Sequence, residues 1–177
     1  MSQRQFKALV AVGKDRPGLV HGISALIHGA GANLEDSRMA VLGGEFAMVL
    51  LYSGTPEQVA AVAGQQAAVG QELGLTFNIH DTTAPDVARR SGRHRLEVCG
   101  LDRPGIVDAV TRVLARRGVS VETLDTRVEN QPLTGTESFV LEAEIRIPPT
   151  LSLVELRGEL DRVCAEEQLE IDVQPLG

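Results

Sequence analysis

Apolar residues recur at every second position in some stretches of the chain and at every third or fourth in others, and the two periods alternate. Lys7 to Val12 is short, apolar and closed by Gly13, which predicts a strand. Leu19, Val20, Ile23, Leu26, Ile27 and Ala30 follow helical period, with Pro17 fit for the first turn and Gly29 and Gly31 around the end. A strand near Leu34 to Val41, a Gly43-Gly44 turn and a strand from Phe46 to Tyr52 read as a hairpin. Thr55-Pro56-Glu57-Gln58 supplies an N-cap, a proline at the first helical position and a capping-box glutamine. Val59, Val62, Gln66, Val69 and Leu73 form the inner face of that helix, with one polar exception. Leu75, Phe77 and Ile79 alternate with Thr76, Asn78 and His80, as a half-buried strand does.

The pattern then runs a second time. Gly13 to Leu19 reads GKDRPGL, and 87 positions later Gly100 to Ile106 reads GLDRPGI. The frame holds through a helix, matching Val20 with Val107, Ile23 with Val110, Leu26 with Val113 and Gly31 with Gly118, and it brings Glu35 onto Glu122. Phe46 meets Phe139 only after an insertion around Gln131 to Thr136, which reads as a longer hairpin loop. The second copy has a strand around Arg95 to Leu101, a helix after Pro104, a capping box at Ser152 and Glu155, and a closing strand at Glu170 to Gln174. Twice β-α-β-β-α-β is the split ferredoxin-like plan, an α+β fold with an antiparallel sheet and both helices on one face. We therefore expect a first unit over residues 1–82, a linker over 83–92 and a second unit over 93–177.

The copies also differ on the outer face of the sheet. In the second, Phe139, Leu141, Ala143 and Ile145 alternate with Val140, Glu142, Glu144 and Arg146, so its outer sheet face is wet. In the first, Phe46 to Tyr52 is apolar on both faces, and Ala8, Val10 and Val12 stand where the second copy has Arg95, Glu97 and Cys99. A strand apolar on both faces is usually covered on both. A homodimer through the first unit is the expectation.

Charge narrows the function. The 177 residues carry a net charge of −7, and the basic cluster Arg89, Arg90, Arg93, His94 and Arg95 reads as a solvated linker, not a nucleic-acid surface. Cys99 and Cys164 are far apart, with no metal spacing around them, and Cys164 falls on an apolar helical stripe. His21 and His28 read as surface residues, and Glu166-Glu167 as solvated carboxylates. No nucleophile elbow, phosphate loop or dinucleotide fingerprint is present, and no cofactor is expected. No apolar run approaches the ~18–20 residues of a membrane span, so a cytoplasmic protein is expected.

The duplicated loop is the candidate site. A helix N-terminus offers free N–H groups and a favourable dipole to an anion such as a carboxylate. Gly18 and Gly105 let a ligand near the backbone, and Asp15 or Asp102 is suited to a ligand amine or to capping its own helix. A plain strand-to-helix turn explains the same residues. Asp-Arg-Pro-Gly-Leu, an apolar helix and Gly31-Ala32-Asn33-Leu34 resemble the ACT domain, a regulatory amino-acid-binding module, and Asp-Arg-Pro-Gly-Ile with Gly118-Val119-Ser120-Val121 repeats the resemblance. The phrase from Ser37 to Phe46 is similar to the first unit of the tandem ACT proteins called glycine cleavage system transcriptional repressors. That resemblance implies an effector held where two units meet, by Asp15, Arg16, Pro17, Gly18, Leu19 and Asn33, and in the second copy by Asp102, Arg103, Pro104, Gly105 and Ile106. Ser120 departs from the family's Asn and weakens the second site. The implied function is a non-enzymatic sensor of a small amino acid, with glycine the first candidate, that controls transcription through contact with a DNA-binding activator. The alternative is an interaction module that docks a partner and binds no small molecule.

Overall fold

The computed structural model describes residues 4–84, 92–130 and 137–176. The chain divides into two compact units, Met1–Pro85 and Asp86–Gly177. The first contains β1 (Gln5–Lys14), α1 (Leu19–Gly29), β2 (Asn33–Leu42), β3 (Glu45–Gly54), α2 (Pro56–Leu73) and β4 (Leu75–Thr82). The second contains β5 (Arg93–Leu101), α3 (Ile106–Arg116), β6 (Ser120–Asn130), β7 (Glu137–Arg146), α4 (Leu153–Glu166) and β8 (Leu169–Pro175). Each sheet is antiparallel, ordered β2-β3-β1-β4 and β6-β7-β5-β8, so each unit has the split ferredoxin-like plan.

One face of each sheet makes the core. Leu9, Ala11, Phe46, Met48, Leu50 and Tyr52 are buried with Leu19, Ile23, Ile27, Val59 and Val62 of the helices. In the second unit Leu96, Val98, Leu141, Ala143 and Ile145 meet Ile106, Val110, Leu114, Leu156, Leu160 and Cys164. The Cys164 thiol is pushed up to about 11 by that burial, as a packed cysteine and not a reactive one would be. His21 and His28 are exposed.

Local chemistry starts the second helix of each unit. Thr55 Oγ1 accepts from the Gln58 N–H while Gln58 Oε1 accepts from the Thr55 N–H, and Ser152 with Glu155 does the same ahead of α4. The first helices begin differently. Gly18 has φ 94° and is the residue before α1, so Pro17 lies in the turn outside the helix and not in its first turn. A left-handed residue cannot continue into an α-helix, and Gly105 at φ 100° repeats the break before α3. Gly13 has another use. A Cβ there would stand 2.6 Å from the Gly74 carbonyl oxygen, so β4 can enter beside β1 only at a glycine.

The basic cluster needs correction. Arg93, His94 and Arg95 belong to β5. Arg93 pairs with Glu122 and Glu144, and Arg95 with Glu142. Cross-strand carboxylates hold these arginines on the sheet, so they are not part of a solvated linker. Arg89 and Arg90, most of the expected linker and the expected loop from Gln131 to Thr136 lie outside the described residues.

Candidate functional site

The Asp15–Gly18 loop sits at the end of the sheet where β1 leaves and the Gly43-Gly44 turn joins β2 to β3. The Asp15 N–H donates to the Gly44 carbonyl at 3.0 Å, and in the second unit the Asp102 N–H donates to the Glu137 carbonyl at 3.2 Å. Arg16 reaches away from the loop mouth. Its Nη2 and Nε donate to the carbonyls of Glu72 and Leu73 at 3.1 and 3.3 Å, closing the C-terminus of α2 where a cation is favoured. Arg103 takes the same direction in the second unit, 3.9 Å from Glu167 at the end of α4. The loop arginines thus tie each loop to its second helix.

What remains at the loop is backbone and carboxylate. No side chain caps α1 or α3, so neither Asp15 nor Asp102 serves its own helix. Neither carboxylate is recorded in a hydrogen bond or ion pair among the described residues. Space in front of Gly18 and Gly105 is open, with nothing beyond the adjoining residues within 4 Å of a Cβ built on either. Leu19 and Ile106 are buried in their cores, so only their backbone faces that space. An uncapped helix start beside an unpaired carboxylate presents donors to an anion and an acceptor to a cation, the two ends of a zwitterion.

Asn33 is not there. It opens β2 opposite Ser53, and Ser53 stands opposite Phe6 near the start of β1. Lys14, where the loop departs, is eight residues along β1, roughly 26 Å at ~3.3 Å per residue. One small ligand cannot touch the loop and Asn33 of a single unit.

Around Asn33 lies a polar cluster that the residue pattern did not single out. The ladder between β2 and β3 shifts between Leu34 and Asp36 and skips Glu35, a bulge that re-aims its side chain. Ser53 Oγ, itself fully buried, donates to Glu35 Oε1 at 2.5 Å. Asn33 Nδ2 and Arg4 Nη2 each donate to the same oxygen at 3.0 Å. The Ser53 and Asn33 hydrogen bonds hold the Glu35 carboxyl below the usual carboxylate range, and the Arg4 guanidinium adds to them. The second ladder shifts at the equivalent place, between Val121 and Thr123, and Glu122 there meets two guanidinium groups. The one signal available beforehand was the match of Glu35 to Glu122 across the repeat.

On the outer sheet faces, Val12 and Val49 of the first unit are 45% and 51% exposed. The second unit carries Arg95, Arg127 and Glu142 in ion pairs there, and the Glu142 carboxyl is lowered, first by its bond from Arg127. Among the described residues no group of His, Cys, Asp and Glu is placed to hold a metal ion, and no helix is long and apolar enough to cross a membrane.

Two family models described as ACT domain match the chain, over residues 9–80 and 94–155. A glycine cleavage system transcriptional repressor of Escherichia coli K12 is 26% identical over 168 residues, covering 94% of this chain and 87% of that protein. The crystal structure of an unknown protein from Galdieria sulphuraria superposes with a TM-score of 0.85 and 31% identity, covering 99% of this chain and all of that one (100%). A structure provisionally assigned as a glycine cleavage system transcriptional repressor gives 0.73 and 26%, with 98% of each chain covered.

Proposed function

Since the chain belongs to the ACT-domain family, as two such domains in tandem related to a glycine cleavage transcriptional repressor, we propose that it is a non-enzymatic regulator that senses a small amino acid. The observation that carries this is the start of α1, an uncapped helix N-terminus behind an open Gly18 and beside the unpaired Asp15. The N–H groups suit the ligand carboxylate, and the open space at Gly18 admits it. Because Asn33 lies at the opposite end of its sheet, a site using both draws its loop from one first unit and its Asn33 from another. Two copies set antiparallel about a twofold axis bring those ends together, which supports a homodimer. Glycine is the first candidate ligand by relation to the repressor, and a DNA-binding activator is the candidate partner, reached by protein contact in the cytoplasm. The acidic chain supports that route over direct DNA binding.

Thermal shift against the twenty amino acids tests the reading. A ligand present at 100 times its dissociation constant stabilises the fold by ~2.7 kcal/mol. Gly18→Val, which forces a branched side chain into φ 94°, is expected to abolish the shift, and Asn33→Ala to weaken it without straining the backbone. A shift with none of the twenty supports the second reading, a docking module. The half-exposed Val12 and Val49 on the outer sheet of the first unit favour that one.

A further inference from the structure

Edge strands β2 and β6 each carry one glutamate that the ladder skips, and the two carboxylates are used differently. Glu122 has Oε1 2.6 Å from Arg146 Nη2 and Oε2 2.9 Å from Arg93 Nε, so each oxygen faces its own guanidinium. Glu35 takes all three of its donors, from Ser53, Asn33 and Arg4, on Oε1. Its Oε2 is recorded with no partner among the described residues. The group is held in place from below, because Arg4 Nε also donates to the buried Ser53 hydroxyl at 2.7 Å. Asn33 gives its amide N–H to this cluster, which leaves its Oδ1 as a second acceptor.

A fixed carboxylate oxygen beside an amide oxygen suits a group that has several donors and no acceptor. A primary ammonium is such a group, with three N–H bonds and a positive charge. We propose that Glu35 Oε2, together with Asn33 Oδ1, binds the α-ammonium of the sensed amino acid, and that the second unit has no such subsite because Arg93 and Arg146 occupy Glu122. This rests on the amino-acid reading above and adds to it the group that recognises the positive end of the ligand. Asn33 is the residue the ACT resemblance already implies, and Glu35 is the addition. At the equivalent place the second unit has Ser120 for Asn33 and Arg146 for Ser53.

Isothermal titration of the full chain with glycine against glycolate, and alanine against lactate, tests this, since each hydroxy acid lacks only the ammonium. The wild type is expected to prefer each amino acid by about tenfold or more, the worth of one charge-assisted hydrogen bond. Glu35→Gln is expected to bring each pair within about twofold, while Glu122→Gln leaves the preference unchanged. Circular dichroism and melting show whether Glu35→Gln is folded. Where it is not, Glu35→Asp keeps the charge, shortens the reach and is expected to weaken glycine but not glycolate. A wild type that binds amino and hydroxy acids equally overturns the proposal with no variant at all, and so does a folded Glu35→Gln that keeps the preference. A wild type that binds none of the twenty amino acids takes the sensing reading down with it, which is a different result from binding that ignores Glu35.

Discussion

Turned away from their helices, the two sheets meet solvent with opposite chemistry. The first unit presents Val10, Val12, Ala47, Val49 and Leu51; the second has Glu97, Glu142 and Glu144 in place of Val10, Val49 and Leu51, with Cys99 and a buried Val140 at the other two. The faces turned toward the helices agree far better. Met48, Leu50 and Tyr52 of β3 correspond to Leu141, Ala143 and Ile145 of β7, all buried. The fold is therefore specified by the inner face and the caps. The outer face was free to become an ion-pair lattice in one unit and an apolar surface in the other.

Exchanging single residues across the pair is the direct way to break that comparison. The largest effect is expected in the core. Leu50 is 1% exposed where the second unit carries Ala143, so Leu50→Ala is expected to destabilise the first unit by about 2–5 kcal/mol. Urea unfolding followed by tryptophan-free far-UV signals should then show one early transition and one unchanged. If both move together, the units do not fold independently. Next is the outer face. Val49→Lys is expected to weaken self-association by roughly a hundredfold, because like charges facing across a twofold contact cost several kcal/mol. Glu142→Gln at the matching place of the second unit should leave sedimentation unchanged, and an unaltered oligomer in Val49→Lys would remove the apolar face from the dimer.

Smaller effects sharpen the same contrast. Arg146→Ser gives the second unit the residue of the first and leaves one Glu122 oxygen unpaired, at about 1–2 kcal/mol of stability for a partly exposed pair. Thr55→Ala and Ser152→Ala should each cost about 1 kcal/mol, and near-equal losses in melting temperature would confirm that the second helices start alike. The smallest effect is with pH. The folded Glu35 carboxyl is lowered, so its contribution is present above the unfolded value and is lost as pH falls through the folded one. Glu35→Gln should flatten the acid limb of the first unit's melting curve and leave that of the second as it was.

How far these differences were legible depends on their range in sequence. Both capping boxes could be read directly, because residues three apart on a helix start must meet. The alternation of β7 showed its wet face for the same reason, since each strand residue reports its own side. The bulge was not legible. Glu35 stands among Asn33, Asp36 and Ser37, where a slip of one position changes no apolar pattern, and only the pairing with β3 exposes it. Arg16 reads as part of a ligand loop until its contacts 56 and 57 residues away at the end of α2 are seen. Arg93 reads as linker until Glu122 and Glu144 are placed beside it by two other strands. Asn33 is grouped with the loop by the resemblance alone, and the length of α1 between them carries the two to opposite ends of the sheet.

That separation has a thermodynamic consequence. A molecule held jointly by the loop of one unit and Asn33 of another is bound only by the associated form. Its apparent affinity then rises with protein concentration until association is complete. By reciprocity, the factor by which association tightens the ligand equals the factor by which the ligand tightens association. A site divided in this way would couple ligand level to assembly, with no moving part inside either unit.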